Sequence, residues 1–409
     1  MSCASGRYSV LALAATEQHH CGHSGAIGVY VHVPWCRAKC DYCAFVSQPI
    51  YDARLVEAVV EHSVVLLQRR LRLCGNPRVD TVYVGGGTPT VLSAALLQRL
   101  LGGIAACVGP RVREWTVEAN PDNVTDLPLG CLAHCGVTRL SIGIQSFQPR
   151  LLHVLGRSCR TVDPDRALSA LACRWSGQWS LDLISGIVDQ SVLEATDDVE
   201  RAVGYGPPHI SLYDLTIEPG TPLARRLGRP AVSAFVNRAA LTSATAAGVL
   251  QRCGYRRYEV SSYARAGAES LHNGGYWAMR DFIGVGPSAV SALSRADGTV
   301  VRYCDPSDIP AFLLLGRNGG CWGRAERVNR RSLILERAML GLRSAAGVSP
   351  AEITGQLDRA GAAAVRQLLQ RWAARGDARL TATRLTMTTG GWQRLDFCLR
   401  ELAALIGLS

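Results

Sequence analysis

The sequence predicts an α/β protein built on a parallel sheet that curves into a partly closed barrel, a six-unit relative of the (β/α)8 fold. Three observations point that way. Short β-branched apolar runs recur at Gly28–Val33, Asp80–Val84, Trp115–Ala119, Thr138–Ile144, Ser180–Ile184 and His209–Leu215. They are too short for helices and are bounded by turn residues. Helix-patterned stretches separate several of them, at Ala53–Leu73, Ser93–Cys107, Pro149–Leu155 and Leu193–Val203, and strand–helix alternation of this kind argues for parallel strands with crossovers. Polar and glycine residues stand at or just beyond the ends of the runs, where barrels and open α/β sheets build their sites. An open doubly wound sheet is the rival arrangement.

The chain has 409 residues, 48% hydrophobic and 19% charged. That excludes a wholly disordered chain and allows a core that needs no disulfide staples. No apolar run approaches the roughly 20 residues of a membrane-spanning helix. The net charge is +11, from 44 basic and 33 acidic residues, and Lys39 is the single lysine. Arginine forks suit carboxylates and phosphates, but no basic stripe interleaved with aromatics marks a nucleic-acid surface, so no nucleic acid is expected as a partner. Most of the 15 cysteines stand alone, including Cys74, Cys107, Cys159 and Cys398. They read as free thiols in a reducing, cytoplasmic setting.

Four regions are expected. Residues 1–26 form a flexible tail, which carries the group His19-His20-Cys21-Gly22-His23, a set of donors able to take up a metal adventitiously. Residues 27–220 form the barrel core. Residues 221–324 complete it, with helical patterning over Val232–Cys253 and a loop-rich stretch from Tyr255 to Pro287. Residues 325–409 read as three helices, two short strands and a closing helix, an α+β end with a winged-helix-like module.

The chemistry concentrates after the first strand. Cys36, Cys40 and Cys43 give Cys-x3-Cys-x2-Cys on one loop, so three thiolates can converge on a soft metal centre. A structural zinc site wants a fourth ligand, and His32 stands near enough in sequence to be considered. An iron–sulfur cube ordinarily takes four thiolates, and with three it keeps one iron open to a small molecule. Tyr42 and Phe45 are expected to shield such a centre. Downstream, Gly85-Gly86-Gly87-Thr88-Pro89 follows the second run, where glycines let a backbone approach a ligand closely. Glu118 ends the third run and Gln145 the fourth. Arg157 follows on the next helix and can neutralise a carboxylate. Asp182 is an acid among apolar residues and needs a partner if buried.

The segment from Tyr30 to Cys43 resembles the signature of radical S-adenosylmethionine enzymes. More narrowly, it is similar to the oxygen-independent coproporphyrinogen III oxidase group and its heme-chaperone branch. The resemblance runs from about residue 28 to near the C-terminus. It implies a partial (β/α)6 radical SAM barrel. It also implies a [4Fe–4S] cluster on Cys36, Cys40 and Cys43, with S-adenosylmethionine chelating the open iron and yielding a 5′-deoxyadenosyl radical on reduction. By resemblance, Tyr30, Tyr42, Gly86, Gly87, Thr88, Glu118, Gln145, Arg157 and Asp182 contact the adenosyl ligand. The chaperone branch carries His-Asn-x-x-Tyr-Trp, present as His272-Asn273-Gly274-Gly275-Tyr276-Trp277. That implies His272 as an axial nitrogen for heme, carried as cargo.

The implied partners are heme or a porphyrinogen, an acceptor hemoprotein and an electron donor, with membrane association only through the acceptor. Two alternatives stand beside the chaperone. One is oxidative decarboxylation of coproporphyrinogen III; Phe45, standing where those oxidases carry a fourth cysteine, opposes it. The other is a zinc-binding structural or regulatory protein. The sequence also departs from the family's pattern at Asp41, which takes the place of a proline, at Gly186–Gln190, and at Ser288–Val290, where a histidine is lost.

Overall fold

The computed structural model describes residues 25–125, 127–157, 163–317 and 320–407, and for 229–238 the backbone alone. The histidine-rich group at 19–23 and Cys159 lie outside the described residues. Six strands pair in parallel in chain order: β1 (Ile27–Val33), β2 (Val79–Gly86), β3 (Glu114–Ala119), β4 (Arg139–Gln145), β5 (Gln178–Ser185) and β6 (His209–Asp214). These are the six expected runs. Helices Ala53–Leu73, Ala94–Val108, Pro149–Val154 and Val192–Gly204 occupy the expected crossovers, and Pro121–Val124, Leu129–His134 and Pro164–Arg174 add three more. Their starts are set by local chemistry. Asp52 and Ser93 accept from backbone N–H groups of the first turn, and Ser191 with Glu194 forms a capping box.

Strand alternation separates two faces. Val29, Val31, Val82, Val84, Val117, Leu140, Ile142, Leu181, Leu183, Ile210 and Leu212 join one buried apolar core. Paired across the strands on the other face are Tyr30, Tyr83, Thr116 and Arg139, then Glu118, Ser141 and Ser180, then Gly143, Asp182 and Ser211. That polar face lines a concave interior. Tyr213 on β6 lies near enough to Tyr83 on β2 to help burial raise its pKa, although four strand steps along a flat sheet would part them by about 19 Å. Only strong curvature brings them together.

The sheet is larger than six strands. Where a loop-rich stretch was expected from Tyr255 to Pro287, the chain forms β7 (Arg256–Arg257), β8 (Ser262–Ala264), a helix at Leu271–Trp277 and β9 (Phe282–Val285). β9 lies parallel beside β1, and β10 (Val290–Ser294), β11 (Val300–Cys304) and β12 (Arg324–Val328) continue antiparallel. The full order is β12-β11-β10-β9-β1-β2-β3-β4-β5-β6-β8-β7. β9 is four residues long and contains Gly284, where a Cβ would stand 2.1 Å from the Val290 carbonyl oxygen. A short glycine-bearing strand has little sequence signal.

The C-terminal elements follow the expected order: helices Arg330–Leu342, Pro350–Thr354 and Arg359–Ala374, strands Ala378–Leu380 and Leu385–Met387, and helices Thr389–Gln393 and Leu395–Leu405. They enclose a core of their own around Val365, Trp372, Leu385 and Leu402. The winged-helix likeness is carried by element order alone. Among the described residues no helix is long and apolar enough to cross a membrane.

Candidate cluster site

The cysteine loop leaves the C-terminal end of β1. Trp35 and Cys36 pair with Gln48 and Pro49, which closes the loop on itself. Val46 is tied back to the strand, because its carbonyl accepts from His32 Nε2 at 2.8 Å. A carbonyl only accepts, so His32 carries its proton on Nε2 and its Nδ1 accepts from the Tyr30 hydroxyl at 2.9 Å. Burial lowers the His32 pKa and keeps the ring neutral. Both nitrogens are thus spent on protein, and His32 is not the fourth ligand that a zinc site would want.

A second anchor is Asp41. Its N–H donates to the Leu155 carbonyl at 3.0 Å, its carbonyl accepts from Leu223 N at 2.9 Å, and its carboxylate pairs with Arg226 at 2.6 Å. A proline here could not make the first of these bonds. Tyr42 packs against the small apolar cluster of Leu151, Leu155, Ile184 and Leu223. Phe45, expected to shield the centre, is instead 63% exposed.

The three thiols are partly buried and free. Burial raises the pKa of Cys40 and of Cys43; Cys40 also feels Cys43 and Cys36, and Cys43 also feels Cys36. They therefore share one neighbourhood. Among the described residues no three His, Cys, Asp or Glu side chains gather as ligands of one metal ion. A mononuclear centre needs its donors in one coordination sphere. A cube takes each thiolate on a different iron and holds them further apart. The donor set, all thiol on one clamped loop, fits the cube.

Strand ends bring the polar face to this loop. Glu118 accepts from the Tyr83 hydroxyl at 2.6 Å and from Gly86 N at 3.1 Å. Burial, with Asp182 adding to it, pushes its pKa up to about 7 against those two hydrogen bonds. Asp182 accepts from Ser141 at 2.7 Å, and its other oxygen is buried with no partner. Burial raises its pKa as well. Gln145 sits at a register shift in β4 with φ at +67°, a bulge that turns its side chain back over Gly143. Tyr30 lies 6.2 Å from Tyr83, ring to ring. Tyr213, near the end of β6, keeps 42% of its surface open.

The glycines also serve the loop itself. A Cβ on Gly86, at φ +108°, would stand 2.4 Å from His32 Nδ1, and one on Gly87 would stand 2.3 Å from the Trp35 carbonyl oxygen. They make room for the cysteine loop's own support. The sequence reading passed over Tyr83, Asn120, Ser141, Ser211 and Tyr213. Alternation within each strand could have marked Tyr83, Ser141, Ser211 and Tyr213, which stand next to buried apolar residues such as Val82, Leu140, Ile142 and Leu212; only the register sets them on the face of Glu118 and Asp182.

His272, expected as an axial nitrogen for heme, has protein partners on both ring nitrogens. Its Nδ1 faces Thr81 Oγ1 and its Nε2 faces the Tyr276 hydroxyl, both at 2.9 Å, and its ring stacks on Tyr83 at 5.2 Å. Burial drops its pKa to about 3, so it is neutral. The Leu271–Trp277 helix is received by Glu114, which accepts from Ser270 Oγ, Leu271 N and His272 N. Thr81 and Glu114 lie at the starts of their strands, whereas the cysteine loop is at the ends. Thr81 to Gly86 is five residues, about 16 Å of strand. The cavity beside His272 holds about 10 Å³, room for one water and no macrocycle. In this structure His272 locks the closed end of the barrel and offers iron no free nitrogen.

A parallel barrel with a three-thiol loop at its C-terminal mouth defines a class, and the family model for the Radical SAM superfamily matches residues 30–194. The heme chaperone HemW of Escherichia coli is 36% identical over 279 residues, covering 68% of this chain and 72% of that protein. HemW of Synechocystis is 33% identical over 334 residues, 79% of each. Mouse radical S-adenosyl methionine domain-containing protein 1, mitochondrial, is 36% identical over 64% of this chain and 59% of its own length. The solved coproporphyrinogen III oxidase HemN of Escherichia coli superposes with a TM-score of 0.73 at 19% identity, covering 94% and 91%, and so shares the fold. By identity and coverage, the chain belongs to the HemW family of radical SAM proteins. Membership in that superfamily implies a [4Fe–4S] cluster and S-adenosylmethionine.

Proposed function

We propose that this chain is a cytoplasmic radical SAM heme chaperone, holding a [4Fe–4S] cluster through Cys36, Cys40 and Cys43 and delivering heme to an acceptor hemoprotein. The observation that carries the reading is the clamped three-thiol loop at the mouth of a polar barrel. S-adenosylmethionine would lie between that loop and the strand ends. The cluster supplies one-electron chemistry to its sulfonium, with the electron coming from an external donor.

The chain's own residues would bind and orient. Tyr42 shields the loop's inner side, Arg157 offers a carboxylate its guanidinium, and Glu118, Asp182 and Gln145 present acceptors to hydroxyl and amino groups. Gly86 and Gly87 enter only through the backbone. Heme is taken up elsewhere than at His272 as that residue is now placed. Oxidative decarboxylation is disfavoured by Phe45, which supplies no sulfur.

Anaerobic reconstitution followed by titration with heme and with coproporphyrinogen III tests this. Iron and sulfide in equal amounts, a saturable heme spectrum and no protoporphyrinogen are expected. Turnover of coproporphyrinogen would overturn the chaperone reading. Zinc without sulfide would overturn the cluster.

A further inference from the structure

Thr88 and Asn120 both occupy N-cap positions, of the turn Pro89–Val91 and the helix Pro121–Val124, and neither side chain caps its element. Threonine and asparagine at such positions ordinarily accept from the first turn. Here they face each other instead. Asn120 Nδ2 donates to Thr88 Oγ1 at 2.9 Å, and Arg157 Nη2 donates to Asn120 Oδ1 at 2.9 Å. Thr88 Oγ1 in turn lies 4.0 Å from Cys36 Sγ, at the outer limit for a sulfur acceptor. Gly143 lets the chain of bonds pass, since a Cβ there would stand 3.1 Å from Asn120 Oδ1.

The direction of every bond follows from the end that cannot reverse. A guanidinium has donors only. The Asn120 atom facing it is therefore the oxygen, which leaves the amide NH2 toward Thr88. The Thr88 oxygen accepts that bond, so its single proton is left for the sulfur. Each dipole in the series points the positive end toward Cys36, and hydrogen bonds aligned this way polarise one another.

We propose that Arg157, Asn120 and Thr88 form a relay that holds one hydrogen bond on Cys36 sulfur and raises the reduction potential of the cluster it ligates. The inference rests on the cluster assignment. Thr88 and Asn120 are positioning residues in this scheme. Reduction by one electron adds negative charge that the thiolates share, and a donor at one thiolate favours the reduced form. Partners of the ligand atoms are among the levers that set cluster potentials.

The test is a mediated dithionite titration of the reconstituted full chain without S-adenosylmethionine, with iron and sulfide measured on each sample. Thr88→Val is expected to keep its cluster and lower the midpoint, by up to tenfold in the one-electron equilibrium, where tenfold is 59 mV. Thr88→Ser restores the parent value. Asn120→Leu removes the polarising link without adding charge and lowers the midpoint by less. The Thr88→Val, Asn120→Leu double variant matches Thr88→Val alone, because Asn120 acts only through the missing hydroxyl. Full clusters with unchanged midpoints, or shifts that simply add, would overturn the relay while leaving the cluster assignment standing. A parent chain that assembles no cluster would overturn both.

Discussion

At the residue scale the site is governed by how the barrel interior treats charge. Glu118 titrates near 7 because burial and Asp182 oppose its ionisation more than Tyr83 and Gly86 favour it. Its folded pKa is raised above its unfolded value, so the folded state binds the proton more tightly. The sign follows: stability is highest below the unfolded value near 4.5, falls as pH rises through the window up to about 7, and is constant above it. Glu118→Gln should therefore raise the stability of the metal-free protein at pH 8, by about 1–3 kcal/mol, and change it little at pH 5. Denaturant unfolding at the two pH values checks this. A site acid that destabilises its own fold when ionised is a reasonable host for a ligand carrying positive charge, and the same substitution should weaken S-adenosylmethionine binding.

At the scale of elements, the cysteine loop is a clamped strap. Strand β1 holds one side through His32 and Val46, and Asp41 holds the other against the Pro149–Val154 helix and the start of the Pro222–Arg252 helix. The Asp41–Arg226 pair is half-exposed, so its contribution to global stability is below about 1 kcal/mol. Its effect on loop order is larger, because it fixes the segment between two ligands. Arg226→Ala is expected to leave the unfolding midpoint nearly unchanged and to speed loss of the cluster to chelator several-fold, followed by the decay of its visible absorbance. Equal loss rates in the parent and the variant would show that the backbone bonds of Asp41 suffice. Asp41 looked like a departure from the family's loop in sequence; in the fold it is a second set of anchors.

At the scale of the whole molecule, two buried polar contacts join segments far apart in the chain. Arg70 on the first long helix makes a bidentate pair with Asp305 and donates to the Gly284 and Cys321 carbonyls. Both side chains are 1% exposed. Arg70→Ala would leave Asp305 buried and unpaired, a loss of about 3–5 kcal/mol, read as a lowered denaturation midpoint. His272 does comparable work at the barrel's closed end. His272→Ala should cost about 2–4 kcal/mol through lost packing and the unpaired Thr81 and Tyr276 hydroxyls. Heme titration of the folded variant should match the parent. Lost heme binding with the fold intact would return His272 to the binding site.

The sequence by itself determined the six parallel strands, their crossover helices and the loop that bears Cys36, Cys40 and Cys43, because periodicity and ligand spacing are local properties of the chain. It also placed Glu118 and Gln145 at strand ends and Asp182 as an acid within the fifth strand. Tertiary structure decided what those positions face. Curvature joined Tyr213 to Tyr83 and Glu118, cross-strand register placed Ser141 on Asp182, and the packing of β9 beside β1 extended the sheet through a stretch with no strand signal. It also separated His272 from the cysteine loop by the length of a strand, and gave His32 and Gly86 to the support of the loop. Partners a hundred residues apart in the chain leave no periodic trace, so the donor and acceptor of each such bond become known only when the strands are side by side.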